Sequence, residues 1–449
     1  MPTQLGMNAS GKRAARVWIA RQPVQWVATM TSGASSAKVA QTAGMSGSKI
    51  GPLRWNPPIT ALVLWPMRVA RVIAVLELGG AQLGALRLSL ALRAHGIESR
   101  WLAGHATRKG LALFRAHGVD VEVLGGGPAL QYARRRAFAE RLAVALLDED
   151  LVHAHMFGAW WAAARAVPDG MPLAASEHNA LQWPGRAPAR ALREALARVD
   201  LFFAHGPAAR SEILAAGFPL ERIREGASPI GGTAVSPMHG LPSPRIVFAG
   251  RLHPEKGPDL LLDALARLAE PPPAFLLGAG VMEPELRRRA ARLGIGDRVH
   301  FEGWRDDPAT WIRGASVCVV PSRFDAWSQT AALAMSLGVP VVGTAVEGLP
   351  GVLGDGRGVL VAPEDPAALA AAIEGVLSGR LRTDARAARL YARGFRPQAV
   401  AARYAAAYRD LSASSSVASA AATRLSNGVD TGLREASGIE QPAPASPSA

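Results

Sequence analysis

At 449 residues, 49% of them apolar, the chain exceeds what one hydrophobic core usually organises, so its composition predicts two α/β domains with disordered ends. No uncharged apolar run reaches the roughly 18 residues of a membrane-spanning helix; the best, Ile59 to Trp65, is short and soon followed by Arg68 and Arg71. The formal net charge of +14 invites nucleic acid, but residues 1–66 carry seven Lys/Arg and no Asp or Glu, and no aromatic residues interleave with basic ones to support that reading. The remaining body suits polyanionic small molecules or peripheral contact with an acidic membrane. The single cysteine, Cys318, excludes an internal disulfide and a cysteine zinc cluster, and fits a cytoplasmic chain.

Residues 1–66, rich in Ala, Ser, Gly and basic residues, read as a disordered basic extension. It is either a transit peptide or an upstream start-site extension, since Met67 opens a strand of the sort that begins many α/β enzymes. From there strand-like apolar runs alternate with helical patterns, the signature of parallel sheets with crossover helices. A first Rossmann-like domain, 67–235, has expected strands at Val69–Leu76, Ser99–Ala103, Val119–Leu124, Leu151–His155, Leu173–Glu177 and Leu201–His205. Its first strand runs into LGGAQ, Leu78 to Gln82, where Gly79 and Gly80 let backbone approach a ligand ahead of a helix N-terminus. The fourth carries His153 and His155, whose side chains alternation places on one face. Glu177 and His178, in SEHN, end the fifth and face the acceptor half, though a satisfied structural histidine fits equally. Trp160 and Trp161 are expected to pack, whereas Trp183 offers a face for sugar stacking or simply fills space.

The Gly/Pro-rich stretch Gly226 to Pro244 reads as a linker or hinge. A second Rossmann-like domain, 236–395, has expected strands at Arg245–Ala249, Ala274–Leu277, Val299–Glu302, Ser316–Val320, Val339–Val342 and Gly358–Val361. Its first strand leads into RIVFAGRLHPEKG, with Gly250, Arg251 and Lys256 beyond the carboxyl end, where a following helix adds backbone N–H groups. The turn is either an anion site, with Arg251 chelating and Lys256 neutralising, or merely solvated. Only five lysines occur beside 45 arginines, which favours a required ammonium at Lys256. Gly278, Gly280 and Gly303 follow the next strands; singly each is an ordinary tight turn, but their shared position points to the cleft between the domains. A helix over 396–411 is expected to return to the first domain, and 412–449 reads as a disordered tail.

Three stretches now stand out: GRLHPEKG at Gly250–Gly257, LLGAG at Leu276–Gly280, and PSRFDAWSQTAALAMSLGVPVV at Pro321–Val342. Together with the looser GGAQ and LVHAHMF, they resemble family 4 of the retaining glycosyltransferases, glycosyl transferases group 1, from about Met67 to Leu411. That resemblance implies a GT-B fold, two Rossmann-like parallel-sheet domains facing a cleft. It implies transfer of a hexose from a nucleoside diphosphate sugar to a hydroxyl acceptor, a glycan or glycolipid, with retention of configuration. The nucleotide sugar is a substrate, and no cofactor or metal is expected.

Residue by residue, the resemblance has Arg251 and Lys256 stabilising the charge on the leaving diphosphate, while Gly79, Gly80, Gly250, Gly278 and Gly280 shape the loops around the donor. His155 matches a family histidine near the sugar. Asp325 stands where the family has the first of two glutamates eight residues apart, and Ser322, Gln329 and Thr330 adjoin it. The second glutamate position, which usually holds the ribose, is Leu333, which cannot accept a hydrogen bond; Glu347 is a candidate substitute. The residues leave open a nucleotide-sugar epimerase or hydrolase, and a non-catalytic binding protein derived from a transferase. Polysaccharide or glycolipid assembly is the family's usual setting, with the inner face of a membrane as a possible contact.

Overall fold

The structure, a computed structural model, describes residues 66–125, 135–178, 186–232 and 234–414. The basic extension up to residue 65, the tail from residue 415 and Trp183 lie outside the described residues.

Seven strands form a first parallel sheet: β1 (Met67–Leu76), β2 (Ile97–Ala106), β3 (Val121–Val123), β4 (Leu151–His155), β5 (Leu173–Glu177), β6 (Leu201–Ala204) and β7 (Ile223–Glu225). Six form a second: β8 (Ile246–Ala249), β9 (Ala274–Leu277), β10 (Val299–Gly303), β11 (Val317–Val320), β12 (Val341–Thr344) and β13 (Val359–Val361). The orders are β3-β2-β1-β4-β5-β6-β7 and β10-β9-β8-β11-β12-β13, with helices in the crossovers. Each sheet is doubly wound, and strand order reverses beside β1 in the first and β8 in the second. Loops leaving β1 and β4, and β8 and β11, therefore diverge and leave a crevice at the carboxyl ends. The fold is GT-B.

Sequence explains the sheets locally. Buried parallel strands need apolar residues on both faces, and IVFA, AFLL, VCVV and VVGT supply them. Strand β7, only Ile223–Glu225, was not expected; its three residues IRE have one buried side chain, too short a pattern to show. Helix starts follow capping rules. Ser328 accepts from Ala331 N before the helix Gln329–Ser336, and Asp365 accepts from Ala368 N before Pro366–Leu377.

One face of the first sheet is polar at its centre. Parallel pairing aligns Arg71 with Trp101 and His153, and His155 with Ser176, so these side chains emerge on the same side. A helix over 397–414 covers them, with Tyr404 stacked on Phe203 at a 4.1 Å ring separation and Tyr408 above Arg71 and His153. The opposite face, with Val72, Leu102, Val152 and Ala154, packs on an apolar cluster that includes Trp160 and Trp161. Among the described residues no helix is long and apolar enough to cross a membrane.

Candidate active site

The turn after β8 is built around Gly257. Its φ of 60° is left-handed, and a Cβ there would come within 2.0 Å of the Pro321 carbonyl oxygen, so the Lys256 turn rests directly on the loop after β11. Main-chain bonds join the same two segments: Arg323 N and Phe324 N donate to Glu255 O at 2.8 and 3.0 Å. Lys256 Nζ consequently lies 3.2 Å from Asp325 Oδ2 and donates to Phe324 O at 3.4 Å. Asp325, buried, also accepts from Ser322 Oγ at 3.1 Å. Arg251 pairs with Glu255, four residues on. Both cations thus face the crevice with carboxylates beside them.

Across the crevice, the loop after β1 carries Gly79 and Gly80 at the start of the helix Gly80–Leu92. Gln329 Nε2 donates to Gly80 O at 2.6 Å, tying the first helix turn after β11 to that loop, while Thr330 Oγ1 donates to Ala249 O at 2.7 Å. These groups enclose a cavity of about 530 Å³. Of the residues expected at the site, Gly79, Gly80, Gly250, Arg251, Lys256, Ser322, Asp325, Gln329 and Thr330 line it, as does Glu347. Glu77 and Glu255 add two carboxylates to the wall.

Three expected residues lie elsewhere. Gly278 and Gly280 are not on the cavity wall; Cβ atoms there would approach Gly250 O to 1.8 Å and Leu252 O to 2.2 Å, so these glycines let the loop after β9 pack on the Arg251 turn. His155 is buried, off the cavity wall, with both ring nitrogens engaged. Arginine only donates, so Arg71 Nη1, 3.1 Å away, makes His155 Nε2 the acceptor and leaves the proton on Nδ1, which donates to Ser176 Oγ at 3.0 Å. Ser176 Oγ also lies 3.1 Å from His153 Nε2, and His153 Nδ1 lies 2.6 Å from the Tyr408 hydroxyl, which accepts from Arg71 Nη2 at 3.1 Å and closes the circuit. Arg71 is fully buried, and Ser99 Oγ, His155 and Tyr408 take its donors in place of a carboxylate.

The histidines that do line the cavity are His178 and His205, their rings 3.8 Å apart. Burial lowers the His178 pKa to about 4, and burial followed by the neighbouring histidines lowers that of His205 well below the usual range. His178 Nε2 is shielded from solvent and has no hydrogen-bond partner among the described residues. SEHN carried this residue, but nothing in its spacing ranked it above His155. Leu333 is 6% exposed and packs in the apolar core rather than on the cavity wall.

A Glycosyltransferase Family 4 model matches residues 78–225, and a Glycosyl transferases group 1 model matches residues 243–379. The D-inositol 3-phosphate glycosyltransferase of Streptomyces avermitilis is 34% identical over 267 residues, covering 49% of this chain and 56% of that protein. The Streptomyces griseus protein of the same name is 38% identical over 170 residues, covering 34% and 36%. The chain thus spans between about a third and just over half the length of these curated relatives. Among solved structures, Anabaena HepE in complex with UDP-glucose superposes with a TM-score of 0.66 at 22% identity over 77% of this chain and 100% of that one. Sucrose-phosphate synthase from Thermosynechococcus elongatus gives 0.66 at 21% over 78% and 100%. One model falls on each sheet and the GT-B neighbours span both: the chain carries a Glycosyltransferase Family 4 domain followed by a Glycosyl transferases group 1 domain.

Proposed function

We propose that the cavity binds a nucleoside diphosphate sugar and that the chain transfers its hexose to a hydroxyl group of a glycan or glycolipid acceptor, with retention of configuration. The observation that carries this reading is the convergence of Arg251 and Lys256 on one crevice with the start of the helix Gln329–Ser336 and the glycine loop after β1. Cations and backbone N–H groups together suit a diphosphate without further ligands. HepE, a fold neighbour, is described in complex with UDP and with UDP-glucose, which supports the same donor class here.

In this reading the acceptor oxygen attacks the anomeric carbon on the face from which the diphosphate departs. The bond from that carbon to the phosphate oxygen breaks, and the acceptor's proton passes to the phosphate. Arg251 and Lys256 stabilise the charge that grows on the leaving group, exchanging Glu255 and Asp325 for phosphate oxygens. His178, whose ring lines the cavity, sits beside the sugar, the place that the resemblance gave to His155. The buried, unpaired Cys318 fits a reducing cytoplasm, and the basic body suits peripheral contact with an acidic membrane during polysaccharide or glycolipid assembly.

Calorimetry with UDP and GDP tests this reading. One of them is expected to bind the wild-type protein, and Lys256→Ala or Arg251→Ala to weaken binding and to cost about 100-fold or more in transfer. Near-normal turnover in both variants would overturn the assignment. The burial of Leu333 favours a second reading, a non-catalytic binding protein, because it removes the expected ribose contact. That reading predicts nucleotide binding without transfer to any acceptor.

A further inference from the structure

Glu347 stands in the loop after β12, on the cavity wall, with φ of 42°. This left-handed backbone is strained for any residue with a Cβ, and such strain persists where the surroundings or a function require it. The local main chain does not require a glutamate. Gly348 N donates to Asp325 O at 3.1 Å and Leu349 N to Val346 O at 2.9 Å, bonds that a glycine at 347 would leave intact without strain. What the glutamate adds is a half-buried carboxylate facing the cavity. Burial, then the charge of Asp325, raises its pKa. The cations nearby are paired with other carboxylates, Lys256 with Asp325 and Arg251 with Glu255. A carboxylate has about four acceptor sites, so most remain for a ligand.

The partner's chemistry follows from charge. Glu255, Asp325 and Glu347 share this wall, and a third carboxylate beside two others repels a phosphate but accepts readily from hydroxyl groups. We propose that Glu347 is a specificity-determining residue that accepts hydrogen bonds from hydroxyls of the transferred sugar, and that the strained backbone is kept for that contact. This inference rests on the nucleoside diphosphate sugar reading above.

The test is calorimetry of the wild-type protein, Glu347→Gly and Glu347→Gln with UDP and UDP-glucose and with GDP and GDP-mannose, beside thermal melts without ligand. For the pair that the wild type binds, Glu347→Gly is expected to weaken the sugar nucleotide about tenfold or more and the bare nucleotide less than about twofold. Its unliganded melting temperature should be no lower than that of the wild type, because glycine relieves the strain. Glu347→Gln, which keeps one carbonyl acceptor, should fall between. Unchanged affinity for the sugar nucleotide would overturn the inference, as would equal losses for nucleotide and sugar nucleotide, or a lowered melting temperature with loss of both. Failure of the wild type to bind either nucleotide would instead sink the donor reading itself, and this inference with it.

Discussion

Arg71 Nη2 donates to the Tyr408 hydroxyl at 3.1 Å, a buried hydrogen bond between the first strand and the last described helix, across 337 positions of sequence. The same hydroxyl is 2.6 Å from His153 Nδ1. A buried guanidinium without a carboxylate is tolerable only while its donors are satisfied. Tyr408→Phe keeps the ring and removes the acceptor, so it should destabilise the fold by about 1 to 3 kcal/mol. Urea unfolding monitored by circular dichroism checks this; an unchanged midpoint would show that the bond contributes little.

The same cluster sets a pH dependence. Burial, followed by interactions with Arg71 and the neighbouring histidines, lowers the pKa values of His153 and His155, and burial lowers that of His178 to about 4. These rings are neutral when folded, whereas unfolded histidines titrate near 6.5. Below pH 6.5 the unfolded chain binds more protons, so stability is fully present above that value and falls as pH drops toward about 4. Unfolding free energy measured at pH 7.5, 6 and 5 should decline in that order, and His178→Asn should flatten the decline. A rise toward pH 5 would contradict the neutral assignment.

Arg323 couples the two segments of the cation site. Its guanidinium donates to both carboxylate oxygens of Asp259 at 2.8 Å and to Pro254 O at 2.8 Å, and pairs with Glu364. Burial pushes the Asp259 carboxyl up, but the bonds and charge of Arg323 outweigh it and hold its pKa below the ordinary value. Arg323→Met should cost about 1 to 3 kcal/mol of stability and about tenfold in nucleoside diphosphate affinity, because the Lys256 turn loses its anchor. Arg289→Met is the control. It removes a comparable fork to Asp263 on the same helix, at 2.7 and 2.6 Å, but away from the cavity, and should affect melting alone. Equal effects on affinity in both variants would remove Arg323 from the site.

Leu333→Glu restores the carboxylate that sequence comparison misses, yet position 333 faces the core. The substitution buries an ionisable group without a partner and should destabilise by about 2 to 4 kcal/mol. UDP or GDP affinity should not improve. A variant that melts normally and binds nucleotide more tightly would place residue 333 at the ribose after all.

How much was legible beforehand follows from the range of the interactions. Twelve of the strands are visible in the apolar runs, because a buried parallel strand announces itself in consecutive residues. Strand β7 is not, since its three residues are identified by pairing with β6 rather than by their own pattern. The turn residues Arg251 and Lys256 and the loop residues Gly79 and Gly80 were found because strand ends and helix starts are local features. His155 and His178 could not be ranked. The partners that occupy His155 come from β1 and β5, and the place of His178 on the cavity wall is visible only in three dimensions.

Two parallel sheets, their switch-point loops and a cationic turn after β8 are legible in the sequence, because each follows from periodicity and residue chemistry within a few positions. Tertiary structure alone decided which groups share the cavity. It turned Leu333 into the core, brought Glu347 to the wall, joined Gln329 to Gly80 across 249 positions and closed the Arg71 circuit with Tyr408. Local patterns specify elements through short-range sterics and burial, but a hydrogen bond between distant residues depends on how complete elements pack, and no window of sequence contains that information.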